Sequence, residues 1–386
     1  MISFETDYNN GMHPEILRRL METNDEQSTG YGDDIYCARA KEKIRKACQL
    51  DEADIYFLIG GTQTNTTMID ALLASGEGVI CTETAHINVH EAGAVEAFGH
   101  KVLALPSEDT KLTAQQVTAY MERFLADDSR DHEVQPGMIY ITLPTEMGLN
   151  YSCDELAALY DVARRYRLSL YVDGARLGYG LAAEGADMTL PFLAHHCDAF
   201  YIGGTKVGAM FGEAVVFSQQ RAPRAFFTTI KRHGALLAKG RMLGLQFDTL
   251  FTDDLYARIS RHAINMAMRM KALFREQGFP LAIDSPTNQQ FVILSANQRR
   301  RLAQHVAFEV WENLSDGRLI CRFVTSWATT DNDLIELKKA LIETNGFDVA
   351  EIKKALARMT DKERAKVREA AIAIYGKDFF EQNTKR

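Results

Sequence analysis

A single lysine, Lys206, lies within a run of small residues, GGTKVGA (203–209), directly after the apolar segment AFYI (199–202). An ammonium group held among glycine and apolar side chains loses hydration, which lowers its pKa and makes the neutral amine available. Neutral lysine amines attack aldehydes and form Schiff bases. The alternative is an ordinary exposed lysine in a surface loop. The choice between the two depends on which other side chains surround it.

Two more segments place chemically useful groups at the ends of predicted strands. GGTQTN (60–65) follows DIYFLI (54–59) and opens a helical pattern, so its backbone N–H groups suit an anion such as phosphate, unless it is an ordinary capped turn. ETAHINVHE (83–91) follows the next strand and carries His86 and His90. A metal would need a third ligand that the nearby sequence does not offer, whereas an aromatic ring at a strand end can stack on a planar ligand.

VDGARL (172–177) places Asp173 at the end of a strand of apolar residues. A buried carboxylate there must be paired or hydrogen-bonded, and Arg176, three residues on, is one candidate partner. An ion pair between them that only shapes the loop is the alternative interpretation. Taken together, the anion-binding turn, the aromatic ring, the carboxylate and the lysine match the phosphate, the ring, the pyridine nitrogen and the aldehyde of pyridoxal 5′-phosphate.

These segments are positioned by a regular alternation of strands and helices between residues 54 and 218. Short apolar strands separated by helical segments of about 10 to 15 residues predict a mostly parallel sheet covered by helices on both faces. Ligands of such sheets bind beyond the carboxyl ends of the strands, which is where the four segments fall. Residues 223–278 are predicted to be mainly helical, and a smaller α+β region follows, in which residues 297–311 are predicted to form a helix.

We predict three parts: a large cofactor-binding domain over residues 1–255, a small C-terminal domain over 256–345 and a helical tail over 346–386. In the tail, apolar residues recur at helical spacing on a charged background, so we expect an amphipathic helix packed on the small domain or on a neighbouring subunit. These apolar residues are Val349, Ile352, Ala355 and Met359.

Composition limits the class of protein. The 386 residues are 46% hydrophobic and 25% charged, as in globular proteins, and the formal net charge is −8. An acidic chain argues against nucleic acid as the main partner, and no apolar run approaches the roughly 20 residues of a membrane-spanning helix. The N-terminal sequence shows no signal peptide, and the six cysteines show neither metal-ligand spacing nor a disulfide pattern. We therefore expect a cytoplasmic protein that binds neither a metal ion nor a membrane.

From about residue 4 to residue 345 the chain resembles the threonine aldolase and β-eliminating lyase group of fold-type-I pyridoxal-phosphate enzymes. The resemblance implies an α/β fold of the PLP-dependent transferase type with a smaller C-terminal α+β domain, and a homodimer or homotetramer. It also implies cleavage of L-threonine, L-allo-threonine and related β-hydroxy-α-amino acids to glycine and an aldehyde. The matching segments are GYGDDIY (30–36), GGTQTN (60–65), TAHINVHEAG (84–93), VDGARL (172–177), GGTKVGA (203–209) and CRFVTSW (321–327).

The resemblance also implies roles for individual residues. Lys206 would carry the cofactor, Asp173 would pair with its pyridine nitrogen and His86 would stack on its ring; these are the candidate catalytic residues. Arginine suits a substrate carboxylate because its planar guanidinium binds both oxygens. The candidates for binding the phosphate are Gly60, Gly61, Thr62 and Thr205. Arg176 and Arg322 are the candidates for the substrate carboxylate, and Arg176 would also lie beside the cofactor. Asp7, Tyr8, Tyr31 and Asp34 correspond to positions near the substrate or at the subunit interface.

One segment departs from the family pattern. Family members often carry a histidine that contacts the substrate hydroxyl after the strand equivalent to IYITL (139–143). This chain has PTEMG (144–148) there, with Met147 near the place of the histidine and Glu146 as the candidate replacement. The candidates for the base that takes the hydroxyl proton are His86, His90 and an ordered water.

Other activities use the same kind of site. The first alternative is β-elimination from a cysteine- or serine-like amino acid, and an aminotransferase is the second. A nicotinamide-type nucleotide domain would lack its G-x-G-x-x-G motif here and would leave Lys206 without a role. A binding protein without activity would have no use for the complete set of candidate cofactor contacts.

Overall fold

The computed structural model describes residues 1–218, 221–345 and 357–375. The chain divides into two compact units, Met1–Ala340 and Leu341–Arg386. The described residues form a two-stranded, a four-stranded and a seven-stranded sheet, and all three belong to the first unit. The predicted limits of the large domain, the small domain and the tail stay predictions.

Between residues 54 and 218, strands and helices alternate as the sequence predicts. The described helices are α1 (Pro14–Glu22), α2 (Ile35–Cys48), α3 (Gly61–Leu72), α4 (His86–Val89), α5 (Ala94–Ala97), α6 (Ala114–Ala126), α7 (Cys153–Tyr166), α8 (Leu177–Ala182), α9 (Leu190–His195), α10 (Phe226–Arg232), α11 (Arg241–Leu250), α12 (Leu255–Glu276), α13 (Ala296–Leu302), α14 (Asp331–Asn345) and α15 (Asp361–Tyr375). The described strands are β1 (Ile2–Ser3), β2 (Asp54–Leu58), β3 (Glu77–Thr82), β4 (Lys101–Leu105), β5 (Gln135–Thr142), β6 (Ser169–Asp173), β7 (Ala199–Gly203), β8 (Glu213–Phe217), β9 (Leu281–Ile283), β10 (Gln289–Leu294), β11 (Val306–Ala307), β12 (Glu309–Asn313) and β13 (Leu319–Val324).

A seven-stranded sheet organises the first unit, in the strand order β2-β8-β7-β6-β5-β3-β4. Strands β4, β3, β5, β6 and β7 pair in parallel, so the prediction of a mostly parallel sheet is confirmed. Strand β8 is antiparallel to both of its neighbours. Its first residue, Glu213, is therefore aligned with Gly203 at the end of β7, and it joins the edge where the parallel strands end.

Side chains alternate between the two faces of this sheet, as the pleat of a strand requires. On β5, Ile139 and Ile141 belong to one buried cluster, whereas Met138 and Tyr140 belong to another. Both faces are thus buried, which explains why the central strands are apolar nearly throughout. The polar groups of the sheet are left for the strand ends, where the loops begin.

A second sheet, in the order β12-β13-β10-β9, is antiparallel throughout. The prediction of one helix over residues 297–311 is wrong in its second half, because α13 ends at Leu302 and β12 begins at Glu309. Pairing with β13 gives this segment its backbone partners, and the ring of Phe308 stacks on that of Phe323 with centroids 4.7 Å apart. Tertiary pairing outweighs local helix preference here.

The structure describes only part of the predicted helical tail. Val349, Ile352 and Ala355 lie outside the described residues, whereas α15 forms a helix further on. The surface against which the tail packs stays a prediction.

Gly244 on α11 provides a test of the packing between α11 and α2. A Cβ added there would lie 2.4 Å from both the backbone N and the Sγ of Cys37. We expect Gly244→Ala to lower the free energy of unfolding by about 1–3 kcal/mol, because this overlap exceeds the gain in helix propensity of about 1 kcal/mol. Urea unfolding followed by circular dichroism measures the change.

Gly11→Ala is the matched control, since an added Cβ there meets no atom within 4 Å. It should leave the free energy of unfolding within about 0.5 kcal/mol of the wild type. A Gly244→Ala variant as stable as this control would contradict the close helix contact.

Candidate active site

Asp173 ends β6 at the carboxyl edge of the main sheet and is buried. Its Oδ1 accepts hydrogen bonds from the Tyr201 hydroxyl at 2.5 Å and the Ala175 backbone N–H at 2.9 Å. Its Oδ2 accepts from the Tyr140 hydroxyl at 2.7 Å and the Asn65 amide at 2.8 Å. Burial raises the pKa of both tyrosines well above its usual value, so they remain neutral donors. Four donors thus offset the cost of burying this carboxylate.

Asn65 links Asp173 to a second buried carboxylate. Its Nδ2 also donates to Oε1 of Glu91 at 2.8 Å, and the same Oε1 lies 2.7 Å from Nδ1 of His86. Burial lowers the pKa of His86, but the hydrogen bond to Glu91 and the charges of Glu146 and Asp173 outweigh burial, so the net pKa is raised. The Nδ1–H group of His86 therefore donates to Glu91, which holds the imidazole ring in place.

Lys206 follows β7 and lines a cavity of about 290 Å³, close to the size usual for a small-molecule site. Burial and the charge of Arg176 lower the pKa of its ammonium group. Within the described ranges, no carboxylate forms an ion pair with Lys206, and its Nζ lies 6.0 Å from the ring centroid of Tyr8. Lys206 is thus a partly desolvated amine inside the cavity, as the sequence predicts, and not an exposed loop lysine.

Most of the cofactor-binding residues expected from the sequence lie around this cavity. They are Gly61, Thr62, His86, Asp173, Arg176, Thr205 and Lys206. Gly61 and Thr62 form the N-terminus of α3, whose unpaired N–H groups favour an anion. Gly60 precedes them as the N-cap of α3 and is not part of the cavity wall.

Glu213, which the sequence analysis did not single out, also lines the cavity. Its Oε1 accepts from the hydroxyl of Thr205 at 2.8 Å, and its Oε2 accepts from the backbone N–H of Gly204 at 3.0 Å. Burial raises the pKa of Glu213 to about 8, against the opposing effect of these hydrogen bonds. This shift favours the uncharged carboxyl, which repels a bound anion less than a carboxylate would.

Arg176 does not pair with Asp173, so the local ion pair considered for the VDGARL segment does not form. Its Nε and Nη2 donate to the two carboxylate oxygens of Asp7 at 2.7 and 3.0 Å, and Asn288 donates to Asp7 at 3.0 Å. Burial alone would raise the pKa of Asp7, but the charges of Arg176 and Lys206 together lower it by more, so the pKa lies below its usual value. Asp7 contacts the guanidinium at the cavity wall and is not itself part of the wall.

Arg322 is buried on β13 and lies outside the cavity wall. It pairs with Glu309, and its Nη1 donates to Oε1 of Gln289 at 3.0 Å. Its carbon Cζ lies 4.9 Å from the ring centroid of Trp311, whereas its Nε has no partner. Burial and the charge of Arg176 lower its pKa.

Two further candidates lie away from the cavity of their own chain. Tyr31 lines a separate surface pocket, where the Lys231 ammonium is 5.1 Å from its ring centroid. Asp34 caps α2, with its Oδ1 accepting the backbone N–H of Cys37 at 2.9 Å. The roles inferred for both residues from the resemblance stay predictions.

The metal alternative for the two histidines finds no support in the geometry. The ring of His90 lies 5.6 Å from that of His86 and 5.7 Å from that of Trp311. In the described part of the chain, no group of three or more histidine, cysteine or acidic side chains is placed to bind a metal ion.

None of the described helices combines the length and apolar character needed to cross a bilayer.

The tyrosine donors to Asp173 were missed at the sequence level, although a signal for them exists. Tyr140 and Tyr201, which donate to Asp173, and Tyr171, which donates to Asn65, occur on the neighbouring strands β5, β7 and β6, each among apolar residues. All three face the same buried cluster. A tyrosine recurring on adjacent apolar strands, one or two residues before their polar ends, indicates hydroxyls that need a buried acceptor.

The cavity fits pyridoxal phosphate by the chemistry of its donors. A helix N-terminus suits the phosphate, a carboxylate surrounded by neutral donors suits a protonated pyridine nitrogen, and a desolvated lysine suits the aldehyde. A cavity of this composition at the carboxyl edge of a mostly parallel sheet defines the fold-type-I class of pyridoxal-phosphate enzymes.

Comparison with known proteins identifies the family within that class. The chain belongs to the Beta-eliminating lyase family, whose model matches residues 4–373. It is 30% identical over 338 residues to a low-specificity L-threonine aldolase of a Pseudomonas strain, covering 86% of this chain and 95% of that protein. The protein is accordingly a pyridoxal-phosphate-dependent lyase.

Solved structures agree with this assignment. A threonine aldolase of Leishmania major superimposes with a TM-score of 0.85 at 37% identity, covering 89% of this chain and 99% of that one. An aspartate aminotransferase of Thermus thermophilus superimposes with a TM-score of 0.64 at 15% identity, covering 89% of this chain and 91% of that one. At this identity the similarity concerns the fold and not the activity. The predicted fold class is therefore confirmed.

The buried pair of Asp7 and Arg176 provides a pH-dependent test. We expect Asp7→Asn to lower the free energy of unfolding at pH 7 by about 3–5 kcal/mol, because it leaves a buried guanidinium without a counter-charge. The folded-state pKa of Asp7 lies below its usual 3.8, so its contribution is present above that pH and is lost as the pH falls through the folded-state value.

The difference between wild type and variant in urea unfolding should therefore be largest near neutral pH and shrink below pH of about 4. Asp25→Asn, a change at an exposed position, serves as the control and should have little effect at any pH. A difference that grows on acidification would show that Asp7 is not held as the charged partner of Arg176.

Proposed function

We propose that the protein cleaves L-threonine or L-allo-threonine, and other β-hydroxy-α-amino acids, to glycine and an aldehyde. The observation that carries this proposal is the likeness to low-specificity L-threonine aldolases over most of both chains, together with a cavity that holds the complete donor set. The cavity wall also includes polar groups on His86 and Glu146, together with Lys206.

Pyridoxal phosphate, when bound, supplies an aldehyde for covalent attachment and a ring that accepts the electron pair released at Cα. Lys206 would hold the aldehyde, since the lowered pKa of its ammonium group favours the neutral amine. Asp173 would keep a proton on the pyridine nitrogen, and His86 would cover one face of the ring. Gly61 and Thr62 would bind the phosphate through the N-terminus of α3.

The substrate carboxylate would be bound by arginine. Arg176 lines the cavity, and its Nη1 remains available after Nε and Nη2 have bonded to Asp7. Arg322 lies further away and pairs with Glu309, so its participation requires that the substrate competes with this carboxylate. Arg176 is held by the buried Asp7, and Arg322 by the buried Gln289 and the partly exposed Glu309, which limits their motion and would orient the bound amino acid.

Product analysis tests the proposed reaction. We expect L-threonine to yield glycine and acetaldehyde in equal amounts, measured by amino-acid analysis and by reduction of the aldehyde with a coupled dehydrogenase. Lys206→Ala should lower this activity by at least about 100-fold, because the covalent attachment point is lost. Lys101→Ala, which removes an exposed lysine, should leave activity unchanged.

Pyruvate and ammonia from serine or cysteine, without glycine from threonine, would instead select β-elimination. No product from either class of substrate, in a protein that binds the cofactor, would refute both reactions.

We also propose that the protein is a cytoplasmic homodimer or homotetramer. The pocket around Tyr31 carries half-exposed apolar side chains, with Tyr31 at 47% exposure, Phe227 at 50% and nearby Ile35 at 54%. Covering such side chains favours association. Tyr31 does not reach the cavity of its own chain, so a substrate-side role would require it to act on the cavity of a second copy.

Subunit mixing tests this arrangement. Sedimentation analysis should give a mass of two or four chains. If Tyr31 acts across the interface, Tyr31→Ala and Lys206→Ala proteins should each be weakly active, whereas hybrids refolded from an equal mixture should recover up to about a quarter of the wild-type sites. A mixture no more active than the mean of its components would contradict a role for Tyr31 in a neighbouring site.

A further inference from the structure

The cavity wall includes a carboxylate of which one oxygen has no hydrogen-bond partner among the described residues. Glu146 follows β5, is 8% exposed and lines the cavity together with Lys206. Its Oε1 accepts the backbone N–H of His86 at 3.2 Å. Its Oε2 accepts no hydrogen bond from the described residues, and it is not one of their fully buried oxygens without a partner, so it is accessible. This oxygen is therefore free to bind a group that enters the cavity.

The loop that carries Glu146 is held firmly. The N–H of Thr145 donates to the carbonyl of Leu149 at 2.8 Å, which closes the turn. The carbonyl of Gly148 accepts the hydroxyls of Ser285 and Thr287 at 2.9 and 3.2 Å. A substrate would therefore meet a carboxylate whose position is set before it binds.

Met147, the neighbour of Glu146, is not part of the cavity wall. The single position in this turn that presents a titratable side chain to the cavity is thus Glu146, among the residues that the structure describes. Its placement follows from the turn and not from the strand, because β5 ends at Thr142.

The other groups that could take a proton in this cavity are already engaged. Both oxygens of Asp173 accept two hydrogen bonds each. Both oxygens of Glu213 accept bonds from its own loop. His86 is held by Glu91 through Nδ1, and its raised pKa favours the form that already carries the proton it would have to accept. Lys206 is committed to the cofactor under the proposed function.

We propose that Glu146 is the catalytic residue that binds the β-hydroxyl of the substrate through Oε2 and takes its proton during cleavage. This inference rests on the proposed aldol cleavage. The O–H bond breaks towards Glu146 while the C=O bond of the aldehyde forms and the Cα–Cβ bond breaks, leaving its electron pair on the glycine fragment. Cα then gains one proton, so none is consumed overall, and Glu146 releases its own before the next turnover.

Two reactions, cleavage of L-threonine and hydrogen exchange at Cα of glycine, distinguish a role of Glu146 as the base for the hydroxyl from a general role in supporting the site. Glycine has no β-hydroxyl, so the exchange of its Cα hydrogen for deuterium needs the cofactor and Lys206 but not a base for the hydroxyl. In Glu146→Gln, which keeps the shape and an acceptor for the His86 N–H, we expect kcat for L-threonine to fall by about 100-fold or more. Glycine exchange, followed by proton NMR, should stay within about threefold of the wild type.

Glu108→Gln, the same change at an exposed glutamate, is the matched control and should alter neither reaction. Threonine cleavage by Glu146→Gln within about fivefold of the wild type would overturn the assignment. Equal losses of cleavage and exchange would overturn it as well, because they would mark Glu146 as a support for the whole site. Failure of the wild type to form glycine from threonine would refute the proposed function itself, which is a distinct outcome.

Discussion

The burial of one carboxylate, that of Asp173, is the constraint on which the rest of the site depends. A charge in the interior costs several kcal/mol unless donors replace the water it loses, and about four lone-pair positions must be served. Tyr140 comes from β5, Tyr201 from β7 and Asn65 from α3, so three separate elements contribute side chains that converge on the end of β6. The parallel order of the sheet is what brings these elements to one edge.

The nature of these donors matters as much as their number. Tyrosine and amide donors stabilise the carboxylate without cancelling its charge, and the nearest arginine in sequence, Arg176, is bonded to Asp7 instead. The negative charge of Asp173 therefore remains available to a cation in the cavity, and it also helps to raise the pKa of His86. A direct Asp173–Arg176 pair would remove this property, since a protonated ring nitrogen would then compete with a guanidinium.

The contact of Asp7 with Arg176 and Asn288 connects segments that are far apart in the chain. It joins the N-terminal segment to the loop after β6 and to the residue before β10 of the antiparallel sheet. Because each partner is buried, loss of one leaves the others unsatisfied, so the wall of the cavity is stable only as a unit. The same logic applies to Glu91, whose Oε1 is hydrogen-bonded both to Nδ1 of His86 and to the amide of Asn65.

The amino-acid sequence by itself determined the alternation of strands and helices between residues 54 and 218, the parallel sheet and the group of Lys206, Asp173 and His86 at one edge. It could do so because periodicity and turn residues are local, and because parallel strands end on the same side. Only the tertiary structure decided the partners: Asp7 for Arg176, Tyr140 and Tyr201 for Asp173, and the strand β12 in place of a predicted helix. Those contacts depend on distances between segments far apart in the chain, which no local pattern records.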